Sequence, residues 1–218
     1  MGAGIWNRYT LEKRLFLQGQ TCSKYPLGRY KKLARKNVVC YFSSWTVNRN
    51  GKGKFDVSNV DSSLCTHVIY AFVGLGADYK ITNLDTWESN DTYGYKGYTN
   101  LVGLKQSNPE LKVLVSMGGW SEGSKRYSEL AEDPAKRQIL AKDVLNFTQA
   151  YGFDGFDLDW EYPGLRDSAY PDQDQANYVE LLKELKNVLE PHGLILTAAV
   201  GGVVTVVDVA YDIPAISE

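Results

Sequence analysis

The stretch Asp154-Gly155-Phe156-Asp157-Leu158-Asp159-Trp160-Glu161-Tyr162-Pro163 constrains the fold of this chain more than any other. On an extended strand, Asp157, Asp159 and Glu161 share one face while Phe156, Leu158 and Trp160 share the other. In a parallel sheet the apolar face packs on helices, so the acids must point elsewhere. An open doubly wound sheet would have to cover three carboxylates with helices, at a severe desolvation cost. Inside a barrel, the outermost acid reaches the C-terminal mouth, where barrel active sites lie. The parity therefore favours a barrel. Same-face neighbours stand roughly 6.5–7 Å apart along a strand, so three screened carboxylates cannot all ionise cheaply. At least one is expected to hold its proton, as a general acid must. Glu161, the longest and outermost, is the expected donor, with Asp159 and Asp157 behind it. A surface strand with solvated acids is the plainer alternative, opposed by the interleaved Phe, Leu and Trp. A divalent cation is a further one, but no second acidic strand lies nearby.

The rest of the chain supplies the strands such a fold needs. Val38–Phe42, His67–Val73, Lys112–Met117, Phe153–Trp160 and Leu194–Val200 are near-continuous apolar runs. Between them lie helical patterns, Pro134–Ala150 behind an Asp133 N-cap and Gln175–Leu189 with a stripe at Tyr178, Leu181, Leu182, Leu185 and Leu189. Apolar strands alternating with amphipathic helices predict parallel βα units. No stretch approaches the ~18 apolar residues of a membrane helix. Residues 1–37 hold nine basic residues and one acid, and the other 181 carry a net charge of −10. They divide the chain into a basic, irregular leader (1–37) and a folded part (38–218). Because the basic character belongs to one end, a nucleic-acid partner is not expected. Three cysteines and two histidines supply too few ligands for a structural zinc site, and no cofactor is called for. Cys40 and Cys65 flank the first two strands and are either paired or two buried thiols. Asn90 and Asn146 open glycan-acceptor triplets, while no signal peptide is visible.

The acidic strand resembles the DxxDxDxE signature of the family 18 glycoside hydrolases, the chitinase family, matched here by Asp154, Asp157, Asp159 and Glu161. Ser116-Met117-Gly118-Gly119-Trp120 is similar to that family's SxGG motif. Val39–Trp45 and Leu64–Phe72 resemble strands one and two of animal, particularly arthropod, members. The resemblance covers the chain from about Val38 onward. It implies an α/β fold, a (β/α)₈ TIM barrel, that cleaves β-1,4-linked N-acetylglucosamine polymers with retention of configuration. The handling of substrate it implies departs from two-carboxylate glycosidases. The glutamate matching Glu161 protonates the leaving oxygen, and the substrate's acetamido carbonyl attacks the anomeric carbon. The aspartate matching Asp159 orients that acetamido group, and the one matching Asp157 adjusts its protonation.

Tyr41, Trp45 and Phe72 match cleft positions, although Tyr41 and Phe72 suit a barrel core equally well. Trp120, just after Gly118 and Gly119, is the expected sugar-stacking ring, and Tyr162 borders the cleft. Trp160 falls on the helix-facing parity and is assigned to packing. The resemblance also implies a Cys40–Cys65 disulfide and a secreted protein, and leaves Cys22 without a partner. The expected partner is chitin or its oligosaccharides, with no membrane partner. The family's sixth-strand M-x-Y-D motif and last-strand tryptophan would both lie beyond Glu218. About five of eight strands are therefore expected, a partial catalytic domain with open edges, inactive or nearly so alone. A non-catalytic, sugar-binding relative is the rival reading. In such relatives the glutamate matching Glu161 is typically replaced; here it is present.

Overall fold

The computed structural model describes residues 36–89 and 94–217. All but the last two residues of the basic leader, Cys22 and the acceptor Asn90 lie outside them. Six strands form one sheet: β1 (Val39–Ser43), β2 (His67–Leu75), β3 (Ile81–Thr82), β4 (Lys112–Gly118), β5 (Gly155–Asp159) and β6 (Ile195–Ala198). Five of them run parallel in the order β1-β2-β4-β5-β6, and the short β3 folds back antiparallel on β2. This is the arc of an incomplete (β/α)₈ barrel. Among the described residues β1 and β6 are each paired on one side only, as open-edge strands would be.

The helices are α1 (Thr86–Ser89), α2 (Gly97–Gly103), α3 (Lys125–Glu132), α4 (Pro134–Tyr151), α5 (Asp174–Leu189), α6 (Val204–Ala210) and α7 (Ile213–Ile216). The start of α4 is set by the Asp133 carboxylate, which accepts the Ala135 N–H at 2.8 Å, with Pro134 in the first turn. On α5, the stripe Tyr178, Leu181, Leu185 and Leu189 is fully buried, and Leu182 packs at its margin. The core lies between this helical layer and the outer face of the sheet. It takes Phe42 from β1, Val68 and Tyr70 from β2, Val113 and Val115 from β4, and Phe156 and Leu158 from β5.

Sequence periodicity misses β3 and α3, and it does not foresee α6. The run Val203–Val207 is β-branched and strand-like, yet β6 ends at Ala198 and Val204 opens a helix. Val206 and Ala210, one turn apart, both meet the core there, while Val203 and Val204 stay exposed. Tertiary packing outweighs a weak local propensity.

Cys40 and Cys65 are disulfide-bonded across β1 and the turn before β2, 25 residues apart. Of the two alternatives left open by composition, pairing is the one realised. Replacing both by Ala is expected to lower stability by about 2–4 kcal/mol, because the reduced loop regains chain entropy when unfolded. The shift in a urea midpoint measures it, and an unmoved midpoint would remove the loop from the stability account.

Candidate active site

The strand parity read from the sequence is realised in full. Asp157, Asp159 and Glu161 line a cavity of about 1710 Å³ on the inner face of the arc. Phe156, Leu158 and Trp160 enter the helix-facing core. Trp160 is 1% exposed, stacked 5.9 Å from the Tyr127 ring, and its indole N–H donates to Ser124 Oγ at 3.1 Å. The three acids are themselves buried, at 1%, 7% and 9% exposure from the innermost outward.

Each acid has different company. Asp157 is held by three hydroxyls: Tyr41 and Ser116 donate to Oδ2, both at 2.8 Å, and Thr197 donates to Oδ1 at 2.6 Å. These donors come from β1, β4 and β6, so Asp157 ties four strands together through one carboxylate. The Tyr41 hydroxyl thus belongs to the polar interior, and its side chain also lines the cavity. Asp159 carries its backbone carbonyl to Gly119 N–H at 2.8 Å. Glu161 lies past the end of β5, and its Oε2 has no hydrogen-bond partner among the described residues. Asp154, the first acid of the motif, lies apart from the cavity. It accepts Val113 N–H at 2.9 Å and pairs with Lys105 at 3.1 Å and Lys112 at 3.8 Å. Its work is to fix the start of β5 beside β4.

Aromatic rings border the mouth. Trp45, after β1, stacks on Phe72 of β2 with centroids 6.1 Å apart and planes 17° from parallel, and both line the cavity. Trp120, after β4, also lines it and is 58% exposed. Gly118 and Gly119 bring its loop down onto neighbouring chain. A Cβ on Gly119 would meet the Phe72 ring at 2.8 Å. Tyr162 lies against the cavity too. Burial, then hydrogen bonding to Glu161 and the charges of Glu161 and Asp159, push its phenol up to about 12. Trp87 instead stacks on Tyr95 at 6.0 Å. Sequence reasoning missed Thr197 and Arg166; Thr197 is legible afterwards only as the inward residue of β6 beside Asp157.

Burial also raises the phenols of Tyr127, Tyr178 and Tyr211. Each keeps its proton to higher pH folded than unfolded, where tyrosine titrates near ~10. Their stabilisation is fully present below that pH and is lost as pH rises through the folded values. Urea midpoints are therefore expected to fall steadily above pH 10, less steeply in Tyr178→Phe. A flat midpoint through that range would contradict the burial argument.

Asn146 is exposed, but it sits within α4, and its triplet's Thr148 is buried with the hydroxyl bonded to Val144 and Leu145 carbonyls at 2.9 Å. Among the described residues no cluster of three or more His, Cys, Asp or Glu is placed to hold a metal, and no helix is long and apolar enough to cross a membrane.

Parallel βα units with a row of carboxylates running to the C-terminal end of one strand, β5, define a (β/α)₈-type barrel architecture with its candidate site at the mouth. Residues 37–218 match the model of the glycosyl hydrolases family 18, and the chain belongs to that family. It is 46% identical over 184 residues to the probable chitinase 2 of Drosophila melanogaster, covering 84% of this chain and 38% of that protein. It superposes on the Ostrinia furnacalis group IV chitinase, solved in complex with allosamidin, with a TM-score of 0.80 at 41% identity. That match covers 84% of this chain and 48% of the other. Human YKL-39, described as a pseudo-chitinase with retained chitooligosaccharide binding properties, gives 0.70 at 28% identity, over 82% and 47% of the two chains. The chain thus spans under half the length of these relatives.

Proposed function

We propose that these residues form the acid-bearing part of a secreted hydrolase that cleaves β-1,4-linked N-acetylglucosamine polymers with retention of configuration. The observation that carries this reading is the one buried carboxyl oxygen without a hydrogen-bond partner among the described residues, Glu161 Oε2, at the mouth of a cavity whose two inner acids stand behind it. Three hydroxyl donors favour the ionised form of Asp157. Asp159, next in the row, accepts the N–H of the substrate's acetamido group, which orients that group and offsets the positive charge that develops on it as its carbonyl attacks. Glu161 gives its proton to the glycosidic oxygen as the acetamido carbonyl oxygen bonds to the anomeric carbon and the glycosidic bond breaks. Water then adds to the oxazolinium ion, and the Glu161 carboxylate takes the water's proton. Two inversions at one carbon leave its configuration unchanged. The rings of Trp45, Phe72, Trp120 and Tyr162 supply apolar faces for sugars. The Cys40–Cys65 disulfide supports an oxidising, extracellular compartment.

The test is proton NMR of freshly released product from the native full-length protein acting on N-acetylchitooligosaccharides. The β-anomer is expected first, and a fully deacetylated oligosaccharide, lacking the attacking carbonyl, is expected to survive. An α-anomer, or equal cleavage of both substrates, would overturn the mechanism. Binding without hydrolysis would favour the sugar-binding alternative instead.

A further inference from the structure

The loop after β4 and the loop after β5 are sewn together by two layers of contacts. The lower layer is backbone-centred. Ser124 Oγ donates to the Tyr162 carbonyl at 3.0 Å, Ser124 N–H donates to Asp167 at 2.8 Å, and Gly119 N–H reaches the Asp159 carbonyl. The upper layer is one side chain, Arg166. Its Nη1 donates to the Trp120 carbonyl at 2.7 Å and to the Glu161 carbonyl at 3.1 Å. Its guanidinium carbon lies 4.0 Å from the centre of the Trp120 indole. Arg166 does this from a left-handed backbone conformation, φ 63°, which an arginine adopts at a cost that these contacts offset.

We propose that Arg166 is a positioning residue that makes Trp120 a one-faced sugar platform, held at a fixed distance and angle from Glu161. The proposal rests on the reading that Glu161 is the proton donor and Trp120 a sugar-stacking ring. A guanidinium seated over one indole face leaves the opposite face for a pyranose ring. An exposed tryptophan without that contact would sample several rotamers, and ligand binding would have to select one. The same Nη1 bonds the residue carrying the acid, so platform and acid are set by one rigid fork. A lysine cannot reproduce this, because its ammonium donates but does not stack flat.

The lower layer does not involve the arginine side chain, so substitutions at Arg166 leave the two loops joined. In the native full-length protein, Arg166→Ala is expected to raise KM for a soluble N-acetylchitooligosaccharide about 3- to 30-fold. The pH profile of kcat is expected to stay in place, and Arg166→Lys to fall between alanine and the parent. Because Arg166 acts through Trp120, the Arg166→Ala/Trp120→Ala double variant is expected to be no worse in KM than Trp120→Ala alone. Should the alanine variant not fold, Arg166→Met, which keeps the apolar stem, runs the same cycle. A raised KM in Trp120→Ala with none in the Arg166 variants would overturn the proposal, as would two effects that simply multiply. An unchanged KM in Trp120→Ala would instead bring down the platform reading of Trp120, and this proposal with it.

Discussion

Glu161→Gln is expected to cut turnover of N-acetylchitooligosaccharides by about 10²–10⁴-fold, the usual contribution of a positioned acid–base group. Oligosaccharide affinity should be retained. The substitution is nearly isosteric, and Glu161 is 9% exposed at the rim of a preformed cavity, so packing is little disturbed. An amide has no proton to give to the leaving oxygen and cannot take one from the water that follows, so both halves of the reaction suffer. The aromatic rims at Trp45, Phe72 and Trp120 do not depend on the carboxyl and are expected to hold sugar as before. Steady-state hydrolysis paired with calorimetric titration separates these effects, since a group acting only in the transition state lowers kcat without raising KM. Turnover equal to the parent's would remove Glu161 from the chemistry. A parallel loss of binding would make its role one of holding substrate.

The acidic strand was legible because the information it carries is local. Alternation alone sends Asp157, Asp159 and Glu161 inward and Phe156, Leu158 and Trp160 outward, whatever the neighbouring strands do. The parallel order of five strands follows in the same way from apolar runs separated by amphipathic helices. What the sequence left undecided depends on partners distant in the chain. Tyr41 meets Asp157 across 116 positions, and Thr197 across 40. No spacing rule predicts a hydroxyl triad assembled from three different strands. Arg166 was invisible for a related reason: a lone exposed arginine in a loop has no pattern until Trp120, 46 positions away, lies under it. The helix at Val204–Ala210 escapes for a different cause: its β-branched run carries only a weak local preference, and the packing of Val206 and Ala210 against the core selects the helix.

Gly118→Ala is expected to be among the most damaging single-atom changes in the chain, costing at least about 3 kcal/mol of stability. A Cβ built there would lie 2.2 Å from the Asp159 carbonyl oxygen and 2.8 Å from its carbon, both backbone atoms that have no rotamer to escape into. Nor can the two segments part freely, since β4 pairs with β5 at Gly118 and Asp159, and the same carbonyl accepts the Gly119 N–H at 2.8 Å. The backbone at Gly118 also has φ 120°, outside what an L-residue adopts readily. Relief would have to come from moving Asp159 or the loop that carries Trp120, so activity should fall together with stability. Gly193→Ala separates the two causes. That glycine also has a positive φ, 69°, but an added Cβ meets nothing within 4 Å. It carries only the conformational part, about 1–2 kcal/mol. Urea unfolding of the two variants side by side decides the matter. A Gly118→Ala protein as stable as Gly193→Ala would mean that the close approach of β4 to the acidic strand is not what holds the site's geometry.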